Sequence, residues 1–322
     1  MRYSVIIPVY NRPEEIDELL NSLTAVSYKS FEVLVIEDGS TESCEHITRK
    51  YSDTLNLRYY KKENSGQGFS RNFGFERANG EYYVVFDSDC LIPPHYFDAV
   101  NREIDTRGKI DCWGGPDRAH KSFTPVQKAI NYSMTSIFTT GGTRGNKRHV
   151  GNYHPRSFNM GISREVYETT GGYIITRMGE DLEFSIRIQK SGFDLLFIED
   201  AFVYHKRRTD FIQFYRQLFF FGRARINIRR FHKEELKLIH CFPLGFTLGF
   251  IYSFIGAFSG FPLGSILLYA YLAFAIVLSF DAFREEKNVL TAVYAPLAGF
   301  TQLTAYGFGF LREIFGSSNN KA

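Results

Sequence analysis

A chain of 322 residues suits one large or two ordinary domains. Its 38 Lys and Arg against 35 Asp and Glu leave a net charge of +3, too near balance for the chain-wide basic surface that drives non-specific nucleic-acid binding, so no nucleic-acid partner is expected. Hydrophobic residues at 44% and charged residues at 23% exclude wholesale disorder and fibrous repeats.

From residue 1 to about 205, strand-like and helix-like stretches alternate. Tyr3 to Val9 is a β-rich run, and Arg12-Pro13-Glu14-Glu15 opens an amphipathic helix with Ile16, Leu19, Leu20 and Leu23 on one side. Phe31 to Ile36 is the next strand, ended by Glu37-Asp38-Gly39-Ser40. Leu57 to Tyr60 is a third, Gly68 to Ala78 a helix, and Glu81 to Phe86 a fourth strand ended by Asp87-Ser88-Asp89. This rhythm predicts a largely parallel α/β sheet, with the polar motifs at its carboxyl edge, where open α/β sheets bind ligands. The amino terminus carries no secretory signal pattern, its apolar run being short and interrupted by Pro8. The four cysteines are far apart with no C-x-x-C pair, which predicts reduced buried thiols.

The long stretch from Ser133 to Arg156 lacks clear periodicity and contains the glycine-rich basic run Gly141 to Arg148, which reads as a lid over phosphates or an anionic acceptor, or as a solvated loop. Lys206 to Lys237 then holds ten basic residues, a local positive block suited to anionic lipid headgroups. Cys241 to Phe280 are forty consecutive positions without Asp, Glu, Lys or Arg, broken in the middle by Ser259-Gly260-Phe261-Pro262-Leu263-Gly264. A third uncharged stretch runs from Val289 to Leu311, after a charged loop from Asp281 to Asn288. The expectation is two to three membrane spans, at about 243–258, 264–280 and 289–311. The basic block before the first span places the front domain in the cytosol, on the inner face of the cytoplasmic membrane. The expected division is a catalytic domain over 1–230 and a juxtamembrane and spanning region over 231–322.

Two carboxylates two apart at a strand end, Asp87 and Asp89, can offer hard oxygen ligands to Mg²⁺ or Mn²⁺. Tyr10-Asn11-Arg12-Pro13 stands where a dinucleotide-binding glycine loop would be required, and no Walker-type loop occurs, so the familiar nucleotide folds are disfavoured. Glu180 and Asp181 begin an amphipathic helical pattern, a position that favours carboxylates and also exposes them to chemistry.

Five segments occur in an order that resembles the family 2 glycosyltransferases, inverting enzymes of the GT-A fold that use nucleotide-diphosphate sugars. They are Val5 to Asn11, Glu37 to Thr41, Gly68 to Gly74, Asp87-Ser88-Asp89 and Gly179 to Phe184. The resemblance covers roughly residues 2 to 230. It implies Pro8 and Tyr10 lining a nucleobase pocket, Asp38 accepting from the base, Arg71 over the base or its phosphates, and Asp87 against the ribose. It further implies Asp89 and His205 as ligands of a divalent metal, Mn²⁺ or Mg²⁺, with Asp181 as general base and Glu180 beside it. Trp113 and Asn159 match acceptor-side segments, Trp113 lying in a loop beneath the acceptor. Gln213 and Arg216 are similar to an element of processive polysaccharide synthases, although Gln217 replaces its tryptophan. The implied partners are a UDP- or GDP-sugar donor, a lipid-linked or glycan acceptor of envelope polysaccharide or glycolipid synthesis, and membrane lipids. The alternatives are a non-catalytic membrane scaffold of the same fold, or a processive polysaccharide synthase.

Overall fold

The structure, a computed structural model, describes residues 1–118, 120, 123–141 and 153–316. Its strands are β1 (Tyr3–Val9), β2 (Phe31–Asp38), β3 (Leu57–Lys62), β4 (Tyr82–Phe86), β5 (Cys90–Leu91), β6 (Cys112–Gly114), β7 (Asp117–Arg118), β8 (Asn159–Ser163), β9 (Leu195–Phe197) and β10 (Val203–His205). The helices are α1 (Pro13–Thr24), α2 (Glu45–Arg49), α3 (Gln67–Phe75), α4 (Tyr96–Arg107), α5 (Pro125–Thr135), α6 (Ile137–Thr140), α7 (Arg164–Thr170), α8 (Glu180–Lys190), α9 (Phe211–Phe231), α10 (Phe242–Phe258), α11 (Pro262–Glu286) and α12 (Val289–Phe315). They form two compact units, 1–120 with 152–206, and 121–151 with 207–321.

The first unit is built on a seven-stranded sheet of order β3-β2-β1-β4-β8-β6-β9. β3, β2, β1 and β4 run parallel, as the strand and helix rhythm predicts. β8 then lies antiparallel between β4 and β6. Neighbouring residues in the central strands face opposite layers. Val5, Val33, Val84 and Phe86 pack with α1 and α4, whereas Ile6, Leu34, Tyr83 and Val85 pack with Phe75 of α3 and Phe184 of α8. Both faces are covered, so these strands read as continuous apolar runs rather than as alternating ones. A second, three-stranded sheet, β5-β10-β7, stands beside the end of β4.

Trp113 and Asn159 are core residues, contrary to the acceptor-side expectation. Trp113 is fully buried in β6, edge-on to Tyr3 and Tyr82. Asn159 in β8 is equally buried, accepting from the Tyr96 hydroxyl at 2.6 Å and donating Nδ2 to the Ala201 carbonyl at 2.8 Å, so its amide ties three elements together. Strands of three to five residues that contain a glycine carry too little period to be told from loops by sequence.

The second unit is helical. The break expected over residues 259–264 is present at 259–261, but α11 continues through Asp281 to Glu286, where a charged loop was expected, and ends at Lys287 with φ +49°. Leu238–Phe258 and Pro262–Glu286 are long and apolar enough to cross a membrane. α12, the third expected span, is 27 residues long, but Thr291, Thr301, Gln302 and Thr304 dilute its apolarity and it does not reach the same standard. α9 packs closely on α12: a Cβ at Gly222 would sit 2.1 Å from the Tyr306 carbonyl oxygen, and one at Gly309 1.9 Å from that of Phe219. Having no Cβ, the two glycines let the helix backbones approach this closely. The buried carboxylate of Glu313 joins the same pair, receiving Arg223 and Arg230, each at 2.9 Å.

The units therefore divide differently from a single boundary at residue 230, because α9 packs on α12 and α5 packs with both. Within the stretch from Ser133 to Arg156, residues 133–135 finish α5 and 137–140 form α6, capped by the Ser136 hydroxyl. Residues 142–152, which include the remainder of the glycine-rich basic run, lie outside the described residues.

The loop entering α3 depends on glycine. Gly66 has φ +87°, and a Cβ there would meet Thr176 Oγ1 at 2.2 Å. Gly66→Ala should cost about 1–3 kcal/mol through combined strain and collision. A lowered thermal midpoint is expected, and an unchanged one would show that the loop relaxes freely.

Candidate functional site

The carboxyl ends of four parallel strands deliver one polar residue set each to the same edge. β1 ends in Tyr10, Asn11 and Arg12; β2 in Asp38 and Gly39; β3 in Lys62; β4 in Asp87 and Asp89. Asn11 adopts φ +51°, a conformation asparagine tolerates, and stitches the first two together. Its N–H donates to Ser40 Oγ at 3.0 Å, and its Oδ1 accepts from the Thr41 N–H at 2.8 Å. Tyr10 is half exposed and Pro8 partly exposed, leaving an apolar surface at this corner.

Asp38 is buried and its carboxylate is already engaged by the protein. Oδ1 accepts from Lys62 Nζ at 2.6 Å and from the Ser65 N–H at 2.9 Å, and Oδ2 accepts from the Gly66 N–H at 2.9 Å. Burial opposes its charge, but the hydrogen bonds from Lys62, the Ser65 amide and Ser70 hold the carboxyl below its ordinary range. Asp38 thus shapes the loop 63–66 as well as facing the corner.

Arg71, on α3, is fully buried. Its Nη2 donates to Asp87 Oδ1 at 2.8 Å and its Nη1 to Glu180 Oε1 at 3.3 Å, while its guanidinium lies 5.4 Å from the Tyr173 ring centroid. Gln67 also donates to Glu180 Oε1. The resemblance implies Arg71 over the base or its phosphates; its hydrogen bonds run instead to the two acidic motifs, which come 93 residues apart in sequence.

Glu180 and Asp181 open α8 after Gly179, whose φ is +96°. Glu180 is buried, and desolvation together with the Asp181 charge raises its pKa to about 6 against the pull of Arg71. Asp181 is more open: its side chain keeps 19% exposure, and both oxygens lie 3.5 Å from Arg156 Nη1.

Asp89 occupies the turn between β4 and β5. Its Oδ2 accepts from Arg12 Nη1 at 2.6 Å, and its Oδ1 lies 3.0 Å from His205 Nε2. Phe158 stacks on the imidazole at 5.0 Å, and the buried His205 Nδ1 has no hydrogen-bond partner. A carboxylate oxygen facing an imidazole nitrogen is a donor pair that fits a divalent ion of the Mn²⁺ or Mg²⁺ type. Gln213 and Arg216 are exposed on α9 in the second unit, where the Asp210 side chain caps the Gln213 N–H at 2.8 Å.

Arg12, Lys62, Gln67 and Arg156 were not singled out from sequence, yet each contacts one of the expected acidic residues. Arg12 and Lys62 were findable, since both end parallel strands beside residues already marked; Arg156 carries no local signal.

A mostly parallel sheet with carboxylates at one edge, joined through a buried arginine to a second acidic pair, is a fold of the GT-A type. The glycosyl transferase family 2 model matches residues 4–171, and the chain belongs to that family. It is 27% identical over 258 residues to the glycosyltransferase AglE of Haloferax volcanii, covering 77% of this chain and 81% of that protein. A shorter match, 41% identical over 96 residues, relates 29% of the chain to 17% of the poly(ribitol-phosphate) β-N-acetylglucosaminyltransferase TarS of Staphylococcus aureus. Among solved structures, the Pyrobaculum calidifontis mannosyltransferase PcManGT, in complex with GDP-Man and Mn²⁺, superposes with TM-score 0.60 at 16% identity over 98% of this chain and 87% of its own. TarS 1–349 with UDP-GlcNAc gives 0.51 at 20% identity, over 99% of this chain and 93% of its own. These two likenesses are of fold.

Glu180 gives a pH signature. A carboxyl raised from its ordinary 4.5 to about 6 by folding favours the folded state while protonated. That stabilisation is complete below pH 4.5 and is lost as pH rises through about 6, amounting to about 2 kcal/mol. Thermal midpoints across this range should therefore fall for the wild-type chain relative to Glu180→Gln. A pH-independent difference between the two would remove Glu180 from the titrating groups.

Proposed function

We propose that the chain is a membrane-anchored, metal-dependent, inverting transferase that moves a sugar from a UDP- or GDP-sugar to a lipid-linked or glycan acceptor. The observation that carries this is the Arg71 bridge, which sets Asp87 and the Glu180-Asp181 pair on either side of one buried cation. The acceptor class rests on the two apolar helices of the second unit and the basic block before them. The same features support a multi-pass position in the inner membrane with the catalytic unit cytosolic, in envelope polysaccharide or glycolipid synthesis.

In this reading Tyr10 and Pro8 receive the nucleobase, and Asp87 faces the ribose. Asp89 and His205 hold a divalent ion, which when bound offsets charge on the departing diphosphate. Arg12 orients Asp89 by holding its second oxygen. Asp181 takes the proton of the acceptor hydroxyl. The two carboxyls of the pair differ in the way such work requires, because Glu180 is sealed against Arg71 and Gln67, whereas Asp181 retains access to solvent and hence to an incoming hydroxyl.

Asp181→Asn should lower turnover by roughly 100- to 10,000-fold with little change in nucleotide affinity. Transfer at near wild-type rate would move the base elsewhere, Glu180 being next. For Asp89→Ala, calorimetry with UDP and GDP should show loss of the Mn²⁺-dependent increment in affinity, and equal affinity with Mn²⁺ or EDTA in the wild type would refute the metal assignment. Carbonate washing of membranes should leave the full chain in the pellet, with the first unit shielded from protease added outside. Release into the supernatant would contradict the anchoring.

A further inference from the structure

Cys90 follows Asp89 directly and is the first residue of β5. β5 and β10 pair antiparallel with Cys90 opposite His205, so both side chains leave the same face of the small sheet. The Cys90 Sγ, an Asp89 carboxylate oxygen and a His205 ring nitrogen all lie within 4.8 Å of one another. The thiol is fully buried and donates to the Phe158 carbonyl at 3.5 Å; Phe158 is also the ring stacked on His205.

An ion held by Asp89 and His205 therefore meets a sulfur as its next potential donor. Hard Mn²⁺ and Mg²⁺ gain little from it, whereas Zn²⁺, Co²⁺ and Cd²⁺ favour thiolate and imidazole together. Tetrahedral zinc needs ligand distances of about 2.0–2.3 Å, so the three donors must draw together by roughly an ångström from their present spread. A two-residue strand beside a turn can supply that movement more easily than the seven-stranded sheet can.

We propose that Asp89, Cys90 and His205 form a three-donor site that captures borderline and soft divalent ions through the Cys90 sulfur and thereby excludes the hard ion used with the donor sugar. On capture the Cys90 S–H bond breaks, the sulfur lone pair binds the metal, and the proton passes to solvent. The proposal rests on the metal reading above, but its consequences are separate. The chain would be inhibited by low concentrations of zinc, and Mn²⁺ supplied in excess would restore it.

Titration of the purified full chain with Co²⁺ tests this without turnover. A thiolate-to-cobalt charge-transfer band should appear in the near ultraviolet, be absent in Cys90→Ser, and be displaced by Zn²⁺. Competition against a chromogenic chelator should show the Zn²⁺ preference over Mn²⁺ falling by roughly 100-fold in Cys90→Ser. A wild-type chain that binds Co²⁺ without the band, a band that survives Cys90→Ser, or an unchanged Zn²⁺ preference overturns the sulfur ligand while leaving Asp89 and His205 in place. Failure of the wild-type chain to bind Mn²⁺ or Co²⁺ at all overturns both readings. Should Cys90→Ser not fold, Cys90→Ala serves, and the wild-type spectrum decides by itself.

Discussion

The site is organised around a cation that never meets water. Burying a guanidinium is costly unless its charge is matched and its donors are used, and Arg71 is matched by Asp87 on one side and Glu180 on the other. Removing Arg71 would leave the buried Glu180 carboxylate without its cation, the kind of loss that costs about 3–5 kcal/mol. The end of β4 and the start of α8 are therefore fixed to each other electrostatically. The small residues around them serve this constraint: Gly66 and Gly68 let α3 approach Ile175 and Thr176, and Gly179 turns the chain so that both acidic residues fall in the first turn of α8.

One edge carries three differently protected carboxylates. Asp38 is held by Lys62 and two backbone amides, Asp89 by Arg12 and His205, and Asp181 by a longer contact to Arg156. The protection loosens from Asp38 to Asp181, in the order of the roles proposed for them: shaping a loop, holding an ion and exchanging a proton. Glu180 stands apart, because it is the acidic residue whose environment raises rather than lowers its pKa among the site carboxylates with a resolved shift.

The second unit solves a different problem. α10 and α11 are apolar around their whole circumference and leave many large side chains exposed, among them Ile255, Phe258, Ile266, Tyr269 and Ile276. They approach closely where Gly256 meets Gly264, and Phe246 and Phe250 pack against Tyr271 and Phe274. α12 has two faces: Ala295, Ala298, Leu303, Ala305 and Phe310 are buried among its neighbours, whereas Val289, Leu290, Val293 and Leu297 are exposed.

The amino-acid sequence by itself determined the parallel half of the sheet, the helices α1, α3 and α8, the break between α10 and α11, and the acidic motifs, because each is a local pattern of apolar period, glycine turn or paired charge. It also determined the family, through the order of those motifs, which the family model's match over residues 4–171 bears out. Only the tertiary structure decided that Trp113 and Asn159 lie in the core, since β6 and β8 are too short to announce themselves and gain their identity from pairing with each other and with β4. It likewise decided that α9 packs with the C-terminal helices, through Gly222 and Gly309, and that Arg12, Gln67 and Arg156 stand beside the acidic residues. Those contacts join residues tens to more than a hundred positions apart, and the physics that selects them, desolvation of charge and close packing of backbones, acts on distances in space that no local pattern encodes.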